Sequence, residues 1–435
     1  MADMALRRRV KRTSPGRQRE VIRHNAMTAV NLKPRDAGEV EEAIRWAIAG
    51  GKALEIIGRG SKRAIGRAAQ WDATLDLSGL SGVTLCEPAE LVLTAKAATP
   101  LAEIQALAAE SGQQIAFEPM DYGPLLGEAR GIGTIGGALA ANLSGPRRIK
   151  AGAARDHFLG VRAVSGRGET FKSGGRVVKN VTGYDLCKLL AGSWGTLAAM
   201  TDVTIKTLPR AETEDTVLVL NLDDVAAVKA MAAAMGSVGD VSGAAHVPAP
   251  LSGRVAQVAT SGCAVTAFRL EGVPPSVAHR KSFLEGLMRP FGELGALHGS
   301  ASHGFWQVIR DAEPFAAAGP AGERIIWRIS TAPSHGAEVG RALVGRSEAE
   351  LLYDWAGGLV WAALPPSDDA GTKIVRSIVA ANGGHATLIR APAALRAAVD
   401  VFEPQPAALA GLTKRVHESF DPLGVLNAGR MWAGI

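Results

Sequence analysis

The sequence predicts an α+β fold in two parts, and three observations predict it. Up to Pro209, short apolar runs alternate with short amphipathic stretches and glycine-dense loops, with no long array of strand–helix–strand units. Beyond Pro209 the order becomes strand, helix, strand, strand, helix, and it then returns once. Between them lies Gly131-Ile-Gly-Thr-Ile-Gly-Gly137, whose glycines let a backbone turn at positive φ and present amide N–H groups to an anion.

The elements follow in order. Lys33–Gly51 reads as a helix, with Asp36 as cap, Glu39 at the capping-box position and Val40, Ala43, Ile44, Ala47 and Ile48 on one apolar face. Gly50-Gly51 ends it, and Ala53–Ile57 reads as a buried strand running into Gly58-Arg-Gly-Ser-Lys62. A strand delivered into glycines, a hydroxyl and two cations offers what a diphosphate needs. Leu75–Leu77 and Leu91–Ala97 are further strands, and Thr99-Pro100 opens a helix over Leu101, Ile104, Leu107 and Ala108. The pattern Gly131-x-Gly133-x-x-Gly136 invites a nicotinamide reading, but loop-like residues from Pro119 to Arg130 precede it where a strand is required. Gly160–Val164 with Thr170-Phe171 predicts a hairpin, Tyr184–Leu190 a short helix and Met200–Leu208 a strand.

In the second part the predicted strands are Thr216–Leu220, Val241–His246, Val265–Leu270, Ile325–Ile329, Leu351–Trp355, Leu359–Leu364 and Ala386–Arg390. Helices are predicted over Asp223–Met235, Val277–Met288, Ala337–Val344, Thr372–Ala381 and Ala407–Phe420. Two ferredoxin-like halves on one antiparallel sheet are the economical reading, without any sequence repeat to support duplication. The expected division is a basic extension (1–26), a first domain (27–209), an antiparallel cap (210–400) and a C-terminal segment (401–435) packing back on the first domain.

Composition excludes several classes. The formal net charge of +6 is carried by the first 26 residues, from Arg7 to Arg23, so the remainder is neutral and gives no footprint for nucleic acid. That extension reads as disordered or as an overlong start before Met27. Cys86, Cys187 and Cys263 are too scattered for an iron–sulfur cluster, a zinc ribbon or a disulfide framework. No apolar run reaches membrane-spanning length, and a cytoplasmic location is expected.

The glycine loops, together with Ala141-Asn142, Arg155-Asp-His-Phe-Leu-Gly160, Gly174-Gly-Arg-Val-Val-Lys-Asn-Val-Thr-Gly-Tyr-Asp185, Gly192-Ser-Trp-Gly-Thr196, Tyr353-Asp-Trp355, Gly384-His-Ala-Thr387, Phe420-Asp-Pro422 and Leu426-Asn427, resemble a known family. The chain looks like a flavoprotein of the vanillyl-alcohol-oxidase/p-cresol-methylhydroxylase FAD-binding type, and within it resembles the FAD-binding subunit of bacterial glycolate oxidase (glycolate dehydrogenase). The resemblance implies two α+β subdomains holding FAD between them, a cap over the isoalloxazine, and a C-terminus returning to the FAD domain. It implies diphosphate contacts from Gly58, Arg59, Gly60, Ser61 and Lys62, and from Gly133, Thr134, Gly136 and Gly137. Pro119, Asn142, Ser144, Gly195 and Val203 are further cofactor candidates. Ser61 stands where a flavin-linking histidine would, so non-covalent FAD is expected.

Oxidation of a 2-hydroxy acid needs a cation fork for the carboxylate, a base for the hydroxyl proton and positive charge near the flavin. Arg328 and Arg390 are the candidate fork, His385 the candidate base and Lys179 the candidate flavin cation. The histidine-rich metal motif of related catalytic dehydrogenases is missing, so no catalytic metal is expected. The resemblance also implies partners: a second FAD-containing subunit, an iron–sulfur subunit and, only through that complex, peripheral contact with the inner membrane. A self-sufficient 2-hydroxy-acid dehydrogenase (D-lactate-like), a non-catalytic electron-relay subunit and a NAD-binding or purely structural protein remain open alternatives.

Overall fold

The computed structural model describes residues 30–176 and 183–434. The first part holds two larger sheets and a short antiparallel pairing of Gln113–Gln114 with Leu208–Pro209. Strands β1 (Val30–Leu32), β2 (Leu54–Ile57) and β3 (Ala73–Asp76) form a parallel sheet of order β1-β3-β2, with helix α1 (Ala37–Ala49) between β1 and β2. The Asp36 carboxylate caps α1 by accepting from the Glu39 amide at 2.9 Å, and Val40, Ile44 and Ala47 form its buried face. Glu39 reaches the amide of Arg35 (2.8 Å), one residue earlier than a standard capping box.

The second sheet is antiparallel. It comprises β4 (Val83–Glu87), β5 (Val92–Lys96), β6 (Phe158–Ser165), β7 (Thr170–Gly174) and β8 (Ala198–Lys206), in the order β4-β5-β8-β6-β7. Helix α2 (Leu101–Glu110) and the six-residue helix α3 (Ile135–Ala140) pack beside it. The sequence hid β4 because it is a half-exposed edge strand without clean alternation. No strand leads into Gly131, so the nicotinamide pattern there lacks its required context.

The second part is one sheet of eight antiparallel strands. Its strands are β9 (Thr213–Leu220), β10 (Gly243–Val247), β11 (Val265–Gly272), β12 (Leu294–His298), β13 (Ile325–Ser330), β14 (Glu350–Asp354), β15 (Leu359–Leu364) and β16 (His385–Arg390). Their order is β12-β9-β11-β10-β14-β15-β13-β16. Each set of four has the ferredoxin-like order, fourth-first-third-second, and the sets join where His246 of β10 meets Tyr353 of β14. Strand β12 and helix α6 (Ser300–Arg310) were not foreseen. The other helices, α4 (Asp224–Met235), α5 (Pro274–Met288), α7 (Gly336–Arg346) and α8 (Thr372–Asn382), follow the expected order.

Period-two alternation explains how the sheet sits. Leu218, Ala267, Trp361 and Ala363 belong to the core shared with the first part, while Val217, Phe268, Val360 and Ala362 pack beneath the sheet's own helices. Strand β15 (LVWAAL) is therefore apolar throughout because both its faces are buried. Under α7 the fit is tight: a Cβ on Gly340 would lie 1.8 Å from the Tyr353 hydroxyl, which donates to Asp224. Gly340→Ala should lower stability by about 1–3 kcal/mol through overpacking, outweighing the roughly 1 kcal/mol that alanine gains in a helix. The urea midpoint reads the sign directly.

Across the seam, Arg147 of the first part binds Glu271 (2.5 Å) and Glu118 (2.9 Å), while Arg269 of the cap holds Glu118 through two bonds of 2.9 Å. Burial alone would raise the Glu271 carboxyl, but Arg269 and Arg147 outweigh it and bring it to about 2. The C-terminal segment returns after helix α9 (Ala407–Phe420): Leu54 donates to Val425 (2.7 Å) and Asn427 donates back to Leu54 (2.9 Å).

Candidate functional site

Strand β2 points its C-terminal end at the loop Gly58–Lys62, and α3 presents Thr134 to the same place. The two loops nearly touch: a Cβ on Gly58 would lie 2.7 Å from Thr134 Oγ1. Thr134 in turn accepts from the Gly137 amide at 3.2 Å. Between them runs a cleft lined by Ala97, Ala98, Ala198 and Met200. Among the described residues, no internal acceptor takes the amides of Arg59, Gly60, Ser61 and Lys62. Asn427 closes the cleft's end, its Oδ1 accepting from Ile56 N and its Nδ2 donating to the Trp194 carbonyl, both at 2.8 Å.

Arg63 in this cleft is paired with Glu55, but Lys62 and Arg430 have no ion-pair partner among the described residues. Lys62 Nζ donates to Ser61 Oγ at 3.0 Å, and burial, reinforced by Arg430, lowers its pKa to about 8. Arg430, 5% exposed, donates to the Lys62 carbonyl, while its Nε has no partner. A half-buried lysine and a buried arginine beside free amides fit the diphosphate of a dinucleotide. FAD therefore suits the residues present.

A second cavity, of about 280 Å³, continues from the first through Ala141 and Trp194, which line both. The cap supplies Arg328 and Ser330 on β13 and, directly opposite them, Thr387 and His385 on β16. Alternation places all four on the face toward the first part. Gly384 makes this register possible: its φ is +109°, and a Cβ there would sit 2.1 Å from the Ser330 carbonyl. The opposite wall contributes Tyr122, Asn142, Ser144 and Arg148. Arg328 has no carboxylate partner among the described residues, and burial, with Arg148 nearby, holds its pKa below the ordinary value. Burial and then Arg328 hold His385 below the usual imidazole range, so it is neutral near pH 7.

The expected site residues divide as follows. Gly58, Arg59, Gly60, Ser61, Lys62, Thr134, Gly136, Gly137 and Gly195 line the first cleft, and Asn142, Ser144, Arg328 and His385 the second. Gly136 contributes closeness and not a donor, because its amide is spent on the Ala97 carbonyl at 2.8 Å. Gly133, Pro119 and Val203 line neither. The Gly133 carbonyl receives the Leu101 amide, Pro119 is buried behind Met120, and Val203 is core between Ala95 and Val161. Arg390 is also misplaced as part of a fork. It pairs with Ile326, two residues along β13 from Arg328, and there the carbonyls of Leu125 (2.7 Å), Phe315 (2.8 Å) and Ala321 accept from its guanidinium. Lys179 lies outside the described residues. Tyr122, Arg148, Trp355 and Arg430 were missed. Each reaches the site through contacts distant in sequence, although Trp355 stood in the run Tyr353-Asp-Trp355.

Comparison with known proteins agrees with this geometry. Residues 28–174 match the family model for the FAD binding domain. The chain is 33% identical over 394 residues to glycolate oxidase subunit GlcE of Escherichia coli, spanning 90% of this chain and 96% of that protein. It is 38% identical over 122 residues to glycolate oxidase subunit GlcD of Bacillus subtilis, 28% of this chain and 24% of that one. The crystal structure of p-cresol methylhydroxylase with substrate bound is similar in fold, with a TM-score of 0.70 at 11% identity over 92% of this chain and 88% of that one. The chain therefore belongs to the family of GlcE-like glycolate oxidase subunits, FAD-dependent oxidoreductases built on the p-cresol-methylhydroxylase type of FAD-binding fold.

Proposed function

We propose that the chain binds FAD without a covalent link and serves as the FAD-binding subunit of a glycolate oxidase complex, in which glycolate or a similar small 2-hydroxy acid becomes the 2-oxo acid. One observation carries this reading: the Arg328 guanidinium faces the second cavity with no carboxylate partner among the described residues, and a neutral His385 shares that face two residues along β16 from Thr387, the partner of Arg328. FAD, when bound, supplies an acceptor for the hydride on the carbon that bears the hydroxyl. Arg328 holds the substrate carboxylate, and a His385 ring nitrogen takes the hydroxyl proton. Tyr122, whose hydroxyl has no partner among the described residues and is held protonated by burial, offers a second hydrogen bond in the same cavity.

A second FAD-containing subunit and an iron–sulfur subunit, or a quinone, take the electrons onward. The similarity to both GlcE and GlcD supports an assembly of more than one subunit. No helix among the described residues is long and apolar enough to cross a membrane. As part of the same proposal, the complex works in the cytoplasm, with membrane contact only through its partners. Anaerobic addition of glycolate to the purified chain, with and without those partners, tests the reaction. A flavin that stays oxidised in both would remove it. Acid precipitation tests the linkage, and flavin is expected in the supernatant.

Lys62 gives a pH prediction with a definite sign. Its pKa is about 8 without an anion, against 10.5 for the free side chain. A diphosphate raises it again, so above pH 8 binding must take up a proton. FAD affinity for the apoprotein should be level below pH 8 and weaken by up to about tenfold per pH unit above it. Calorimetry in buffers of different ionisation enthalpy should show matching proton uptake, and Lys62→Met should flatten the profile.

A further inference from the structure

Resting on the hydroxy-acid reading, we propose that Trp355 is a positioning residue for the substrate anion, fixing two guanidinium groups, one from each part of the molecule, as a single receptor. The Arg148 guanidinium carbon lies 4.4 Å from the Trp355 ring centroid and that of Arg328 lies 4.9 Å away. All three residues line the second cavity. Among the described residues neither arginine has an ion-pair partner, and Arg148 lowers the Arg328 pKa beyond what burial does. Two like charges held on one aromatic ring are tolerable because its quadrupole attracts both, and an anion reaching both guanidinium groups makes the pair favourable.

The placement of Trp355 is itself built. Its backbone sits at φ 53°, with Ala356 following at φ 58°, a conformation uncommon for side-chain-bearing residues. The Asp354 carboxylate, 2% exposed, holds it there by accepting from the Trp355 amide at 2.7 Å. At the other end, the indole Nε1 donates to the Gly145 carbonyl at 2.9 Å, across the seam and three residues before Arg148. One side chain thus ties the cap to the turn that carries Arg148 while it spaces Arg148 from Arg328. Two consecutive side-chain-bearing residues at positive φ, held by a buried carboxylate, mark a backbone built for this placement.

The test uses FAD-loaded protein and oxalate, a small dianion that cannot be oxidised by hydride loss, with binding followed by calorimetry. Wild type should bind. Trp355→Leu should bind at least tenfold more weakly at unchanged flavin content, and Trp355→Phe, which keeps a ring but not the indole donor, should recover most of the affinity. In turnover assays with the partner subunits, Trp355→Leu should raise KM for glycolate with kcat changed less than twofold. A cycle with Arg148→Met should be strongly non-additive. If Trp355→Leu fails to retain flavin, the cycle of Arg148→Met with Arg328→Met decides: additive losses in oxalate affinity overturn the single receptor and with it the proposal. Oxalate binding that is equal in wild type and Trp355→Leu also overturns it, leaving the hydroxy-acid reading intact. Wild type that binds neither oxalate nor glycolate would end both.

Discussion

Gly58→Val is expected to yield a folded protein that emerges colourless, with FAD affinity reduced by about 100-fold, equivalent to about 3 kcal/mol. The argument is steric and local. A Cβ at position 58 would lie 2.7 Å from Thr134 Oγ1 and 3.3 Å from Thr134 Cγ2, so valine forces the two loops apart. Thr134 cannot retreat without cost, because it also accepts from the Gly137 amide. Separated loops no longer converge on one diphosphate, and the free amides of Arg59–Lys62 lose their common target. Core packing elsewhere is untouched, so the melting curve of the apoprotein should stay cooperative. Flavin absorbance per chain and FAD calorimetry on apoprotein measure the outcome. A fully yellow Gly58→Val would show that the cofactor does not pass between these loops.

Arg328→Met is expected to keep FAD but reduce kcat/KM for glycolate by at least about 30-fold, since a charged hydrogen-bonding partner of a bound anion is worth about 2–3 kcal/mol. Methionine keeps much of the aliphatic volume against Trp361 and removes only the charge and the donors. The loss should fall mainly on KM, because the carboxylate is gripped equally before and during hydride loss. Arg328→Lys should recover only part of the activity, since an ammonium cannot offer a planar two-donor fork. Arg390→Met is the informative contrast. Its guanidinium serves the carbonyls of Leu125, Phe315 and Ala321, so it should lower stability and leave substrate affinity nearly unchanged.

Local features of the fold were readable, and long-range features were not. Helix α1 was legible because Asp36, the Val40–Ile44–Ala47 face and Gly50 act within a few residues of one another. The strand-to-loop delivery at Ile57–Gly58 was legible for the same reason. The eight-stranded sheet could be guessed from element order, although β12 and α6 escaped: β12 is a part-exposed edge strand, and α6 follows it after one residue. The site was harder. Arg328 and His385 could be proposed as candidates, yet only the β13–β16 register shows that they share a face. Arg390 is removed by contacts distant in sequence, since the carbonyls of Leu125, Phe315 and Ala321 take its donors. Arg148 and Trp355 meet across the seam, where periodicity says nothing.

The central claim is that one continuous cleft joins a diphosphate site to a carboxylate site. Anaerobic titration of the FAD-loaded chain with glycolate, alongside Arg328→Met and with the partner subunits present, tests it most directly. The account predicts that the wild-type flavin bleaches and that Arg328→Met needs far more glycolate to reach the same extent. Bleaching of both proteins at equal glycolate, or of neither while dithionite reduces both, would contradict it.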